Sequence, residues 1–221
     1  IAGAVAELLA EREPTIDLRF SDAVKRGAIL VSKTNHCLYD LLLRQQRGEL
    51  RCEFPLVIGN HEVLRPVAEH FGRTFHHVPV TKDTKAAAEQ EVFDLLDRER
   101  IDFVVLARYM QILSPRFVDR YPNRVINIHH GFLPAFQGAK PYHQAHKRGV
   151  KLIGASAHYV TADLDEGPLI AQSVVPVSHR DVVRDMVHKG RDLEKTVLAN
   201  AVRCHVENRI LVYANRTIVF D

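Results

Sequence analysis

The chain has 221 residues, 46% of them apolar and 26% charged, with 30 Lys and Arg against 27 Asp and Glu for a formal charge of +3. That is enough chain for one large α/β domain, or a domain with a small appendage. No Lys/Arg stripe with interleaved aromatics occurs, which removes the electrostatic case for nucleic-acid binding, and no apolar run reaches the roughly 18 residues of a membrane span.

Taken in chain order, IAGAVAELLAERE has helical spacing and TIDLRF alternates like a strand, too little to form a core. Residues 1–20 therefore read as the remnant of a separate unit, with the main domain over 21–221. From there GAILVSK (27–33) predicts a buried strand and 35–48 a helix. FPLVIGN (54–60) is the next strand, followed by a helix from His61 to Phe71 and a third strand in TFHHVPV (74–80). KAAAEQEVFDLLDRER reads as a helix, and IDFVVLA (101–107) is a solid apolar run of the kind found in parallel sheets. A short helix at PRFVDR leads to the strand RVINIHH. Strand alternating with helix predicts right-handed βαβ units around a mostly parallel sheet. LIGASAHYV (152–160) and PLIAQSVVPV (168–177) then read as antiparallel strands around the polar loop TADLDEG, and 181–213 as one or two helices.

The candidate chemistry sits where RVINIHH ends. Side chains two apart on a strand face the same way, so Asn127 and His129 point together, and His130 to the other side. An amide and an imidazole at the carboxyl end of a parallel strand suit the oxyanion of a tetrahedral intermediate. A proton-handling group is also required, and TADLDEG offers Asp163, Asp165 and Glu166. His158, at the end of the preceding strand, is placed to orient Asp165. Taken singly, each residue also has a structural reading, as a packed strand histidine or a turn-forming aspartate. His129–His130 lacks the spacing of a metal site, and Cys37, Cys52 and Cys204 form no CxxC pair. Three unpaired cysteines fit a reducing cytoplasm.

Together, NIHHGFLPAFQGAKPYHQA, GASAHYVTADLDEGPLIAQ and ARYMQILSP resemble the folate-dependent formyltransferase superfamily, over about Gly27 to Phe220. The resemblance implies a Rossmann-like formyltransferase fold with catalytic Asn127, His129 and Asp165, supported by His158. It implies substrate contacts at Met110, Gln111, Ile112, Leu113 and Asp163, with the pterin held by the 110–113 loop. Amine-formylating members carry a Gly- and Ser-rich first turn for the acceptor's phosphate, whereas this chain has VSKTNHCLYDLLLR there, without glycine. The strings are most similar to the branch that passes the formyl group of 10-formyltetrahydrofolate to water, giving formate and tetrahydrofolate. That branch implies no permanently bound cofactor and no metal, a homo-oligomer, a role in one-carbon and purine metabolism, and an N-terminal ACT-type regulatory domain of which residues 1–20 would be the end. Gly131 departs from the serine common at that place. Formyl transfer to an amine acceptor and a non-catalytic folate-binding module are the rival readings; a dinucleotide-binding domain is disfavoured by the absence of GxGxxG.

Overall fold

The solid apolar runs become strands because both of their faces are covered. In the computed structural model, which describes residues 23–135 and 140–220 together with Gly3, alternate residues of β1 (Lys25–Val31) enter different cores. Ile29 and Val31 pack on one side of the sheet, and Ala28 and Leu30 on the other. The expected helix and strand within 1–20 lie outside the described residues.

The strands β2 (Cys52–Gly59), β3 (Thr74–His77), β4 (Phe103–Leu106) and β5 (Val125–His129) join β1 in a parallel array. Strands β6 (Leu152–Tyr159) and β7 (Leu169–Pro176) extend it antiparallel, for a seven-stranded order β3-β2-β1-β4-β5-β6-β7. The mostly parallel sheet and its antiparallel pair follow the expectation. Chain order reverses between β1 and β4, which is where an open α/β sheet leaves a crevice at its carboxyl edge.

Helices cover both faces. On one side lie α1 (His36–Gln46), α2 (Arg65–His70) and α6 (Val183–Val206), contributing Leu38, Leu41, Val67, Leu198 and Val202. On the other, α3 (Lys85–Arg98) and α4 (Pro115–Arg120) contribute Val92, Phe93, Leu96 and Phe117. Local chemistry sets the ends of α4: Pro115 opens it, and the Ser114 hydroxyl accepts the Phe117 N–H at 3.2 Å.

Two expectations are corrected and one helix is added. The helix from His61 to Phe71 is a 3-10 turn at Glu62–Leu64 followed by α2, since Pro66 in the first turn has no N–H to continue an earlier helix. A helix α5 (Pro141–Arg148) was not anticipated, although it starts with proline and ends at Gly149 in the left-handed region. The tail is one helix, α6, and then a hairpin of β8 (Ile210–Tyr213) and β9 (Arg216–Val219), so the helical reading overran at Ile210. Among the described residues, no helix is long and apolar enough to cross a membrane.

Phe103 shows how tightly the sheet is set into its cover. Its buried ring meets Phe54 edge-on at 6.0 Å, and a Cβ added at Gly27 would lie 2.5 Å from it. Phe103→Ala is expected to cost about 3–5 kcal/mol of stability in a denaturant titration, through lost burial and the cavity left behind. A loss under about 1 kcal/mol would contradict this packing.

Candidate active site

The strand end and the hairpin loop come together as one cavity of about 260 Å³. Asn127, His129, His158, Asp163 and Asp165 line it, with Met110, Gln111, Ile112 and Leu113 from the segment after β4. The expected catalytic and substrate-contact residues therefore face the same space, whereas Glu166, the third carboxylate of the loop, does not line it. The walls are partly apolar and open, with Met110 61%, Ile112 59% and Leu164 58% exposed, as suits a flat aromatic ligand. The segment is tethered to β1: the Ser32 hydroxyl accepts the Met110 N–H at 2.9 Å and donates to Asn60 Oδ1 at 2.7 Å.

Asp165 reaches the site because its loop folds back from the end of β6. Its own φ is +59°, a left-handed backbone that aspartate tolerates better than most residues. Two residues on, a Cβ at Gly167 would lie 1.8 Å from the Tyr159 carbonyl oxygen, so only glycine fits. The terminal hairpin props the loop from outside, where Asn215 Nδ2 donates to the Glu166 carbonyl at 2.8 Å. Thr217 Oγ1 likewise donates to the Leu169 carbonyl.

So held, Asp165 Oδ2 lies 3.2 Å from His129 Nδ1. The hydrogen bond from His129 holds the Asp165 carboxyl below its ordinary range, against the opposing push of partial burial. The other ring nitrogen of His129, Nε2, is buried and has no hydrogen-bond partner. A buried polar atom without a partner carries a desolvation cost that a ligand group would relieve.

The partners of His158 select one tautomer. Its Nδ1 lies 2.9 Å from the Tyr159 carbonyl oxygen, which can only accept, so Nδ1 carries the proton. Burial, the largest influence, pushes its pKa down. Nε2 is therefore an acceptor and takes a hydrogen from Asn127 Nδ2 at 3.1 Å, across a directly opposed β5–β6 pair. From Nε2 to Asp165 Oδ1 is 3.8 Å, beyond a hydrogen bond. The ring thus orients the Asn127 amide, where sequence reasoning had it orienting Asp165.

Arg108, Glu194, His36 and Tyr142 escaped the sequence reading, and the reading of His130 is corrected. His130 does not turn away but lines the same cavity, and burial followed by Arg108 pushes its pKa down to about 3. Arg108 also lines it, with φ +64° and its Nε 3.5 Å from Glu194 Oε2. Glu194 is buried on α6 and takes hydrogen bonds from His36 Nε2 and the Tyr142 hydroxyl, each 2.8 Å long. Burial pushes its pKa up, but His36, Arg108 and Tyr142 outweigh it and leave the carboxyl below its usual range. His36, Cys37 and Glu194 place donor atoms within 4.8 Å of one another, the one such metal-sized group among the described residues. The Arg108 cation beside Glu194 opposes a metal there. A lone Glu in DLEKT carries no sequence signal of burial; the arginine in ARYMQILSP does stand next to the expected ligand segment.

Comparison with known proteins gives the family. Residues 25–202 match the family model described as formyl transferase. The formyltetrahydrofolate deformylase of Synechocystis sp. is 56% identical over 220 residues, 100% of this chain and 77% of that protein. The chain belongs to the formyltetrahydrofolate deformylases of the formyl transferase family. A solved member from Pseudomonas syringae superposes with a TM-score of 0.89 at 53% identity, covering 91% of this chain and 67% of that one. The fold extends to a glycinamide ribonucleotide transformylase from Symbiobacterium toebii, with a TM-score of 0.86 at 29% identity over 93% of this chain and 99% of that one.

The Asp165–His129 contact has a pH signature. A carboxyl whose folded pKa lies below its unfolded one stabilises fully above the unfolded value, near about 4. That contribution is lost as pH falls through the folded value. Asp165→Asn is therefore expected to flatten the acid limb of stability, so that wild type and variant converge between about pH 5 and pH 2 in denaturant titrations. Parallel curves over that range would show that the contact is not formed.

Proposed function

We propose that this chain hydrolyses 10-formyltetrahydrofolate to formate and tetrahydrofolate, with water as the formyl acceptor. The observation that carries the reading is the unpartnered Nε2 of His129, in a ring whose other nitrogen is held by the Asp165 carboxylate. With Nδ1 turned to Asp165, a hydrogen carried on Nε2 would be offered to an oxygen in the cavity. The Asn127 amide nitrogen has two hydrogens and spends one on His158, leaving the second for the same oxygen. These two donors suit the oxyanion that forms when a formyl carbonyl is attacked.

In this mechanism the pterin lies against the 110–113 segment, with Asp163 at the loop that covers it. Asp165 accepts a proton from water as the water oxygen bonds to the formyl carbon. The negative charge passes to the formyl oxygen, between Asn127 and His129. On collapse the bond from carbon to N10 breaks, and N10 takes the proton that Asp165 received. Formic acid leaves and ionises, so one water is consumed and one proton released. Formate of this origin would feed one-carbon and purine metabolism.

The test is formate release from 10-formyltetrahydrofolate by the purified protein without added amine. Asp165→Asn should reduce it at least a thousandfold while folate binding, read by fluorescence quenching or calorimetry, stays within about tenfold. Asn127→Ala should cost about 10²–10³ in kcat, as loss of one oxyanion donor does. Near wild-type turnover by either variant would remove that residue from the mechanism.

A further inference from the structure

The fold is shared with a protein named as a glycinamide ribonucleotide transformylase, which raises the question of what keeps an amine from this formyl carbon. The cavity wall that adjoins the turn after β1 answers it. That turn lies at the carboxyl edge beside the reversal of strand order, where this class of fold receives ligands. Helix α1 starts there at His36, and its N-cap residue Asn35 makes no side-chain capping bond. An open helix start attracts anions. Here its first residue is instead bonded to the protein's own carboxylate, Glu194, from α6.

Glu194 in turn faces Arg108, which lines the formyl cavity. Arg108 holds a backbone conformation, φ +64°, that favours glycine, and its side chain is only 15% exposed. This bulky cation, its Nε lacking a well-aligned hydrogen bond, offsets the buried Glu194 carboxylate and at the same time occupies the cavity wall in a strained backbone conformation. Glu194 is further fixed by the Tyr142 hydroxyl, whose ring packs over Gly190, where a Cβ would lie 1.9 Å from that oxygen. Side chains from α1, α5, α6 and the segment after β4 thus converge on one buried charge.

We infer that Arg108, pinned by Glu194, is a specificity-determining residue that closes the acceptor side of the formyl cavity, so that water enters and an amine does not. This rests on the hydrolase reading above. With the wall opened, a primary amine would attack the formyl carbon, lose its proton to Asp165, and leave as a formamide while N10 is reprotonated.

The experiment measures how the formyl group partitions between water and amine. The protein is given 10-formyltetrahydrofolate with glycinamide or glycinamide ribonucleotide as probe, and formate and N-formyl product are both quantified. Arg108→Gly suits the backbone angle and should raise the ratio of formyl amine to formate at least tenfold over wild type. Arg108→Lys should restore a ratio close to wild type, and Glu194→Gln should move it in the same direction as Arg108→Gly. Partition is independent of overall rate, so a slow variant still reports. Arg108→Gly and Glu194→Gln both within twofold of the wild-type ratio, with intact thermal melts, would overturn the inference. If Arg108→Gly does not fold, Glu194→Gln alone decides. A wild type that releases no formate at all defeats the hydrolase reading itself, and the gate with it, which separates the two failures.

Discussion

The contact between His129 and Asp165 joins the end of β5 to the loop that follows its neighbouring strand β6. His129 stands at the end of a buried strand, where an imidazole without a partner would be costly. Asp165 comes from a loop that must leave β6, reverse, and return over the strand end. That path depends on a left-handed aspartate, a glycine that no larger residue can replace, and a terminal hairpin that fastens the loop from outside. The pair then leaves the second nitrogen of His129 buried and without a protein partner.

Asn127 is fixed by a different route. A backbone carbonyl sets the tautomer of His158, and the tautomer sets which way the amide of Asn127 faces. The site is thus two short chains of hydrogen bonds side by side, one ending in an amide donor and one in an imidazole. Both are anchored in backbone or in a carboxylate, so little reorganisation is required when charge develops between them.

Much of this was legible in the sequence. Strands buried on both faces announce themselves as solid apolar runs, and GAILV and FVVL did so. Period-two alternation was enough to pair Asn127 with His129. What failed to show was interaction across long separations. Glu194 looks like any solvated helical glutamate, and only the folded chain shows His36, Tyr142 and Arg108 around it. His158 was read as supporting Asp165 because sequence spacing does not reveal antiparallel register. The β8–β9 hairpin was hidden for a similar reason, its short apolar stretch lying directly behind a long helix with the same composition.

The central claim is that Asp165 delivers water to the formyl carbon and does not itself attack it. One turnover of unlabelled 10-formyltetrahydrofolate by excess protein in water enriched in oxygen-18 tests this most directly, with the product formate read by mass. Formate carrying one heavy oxygen from the first turnover, with no formyl adduct on the Asp165 peptide in acid-quenched samples, is the predicted result. Unlabelled formate, with the heavy atom found in the Asp165 carboxyl group, would make Asp165 the nucleophile and contradict the account.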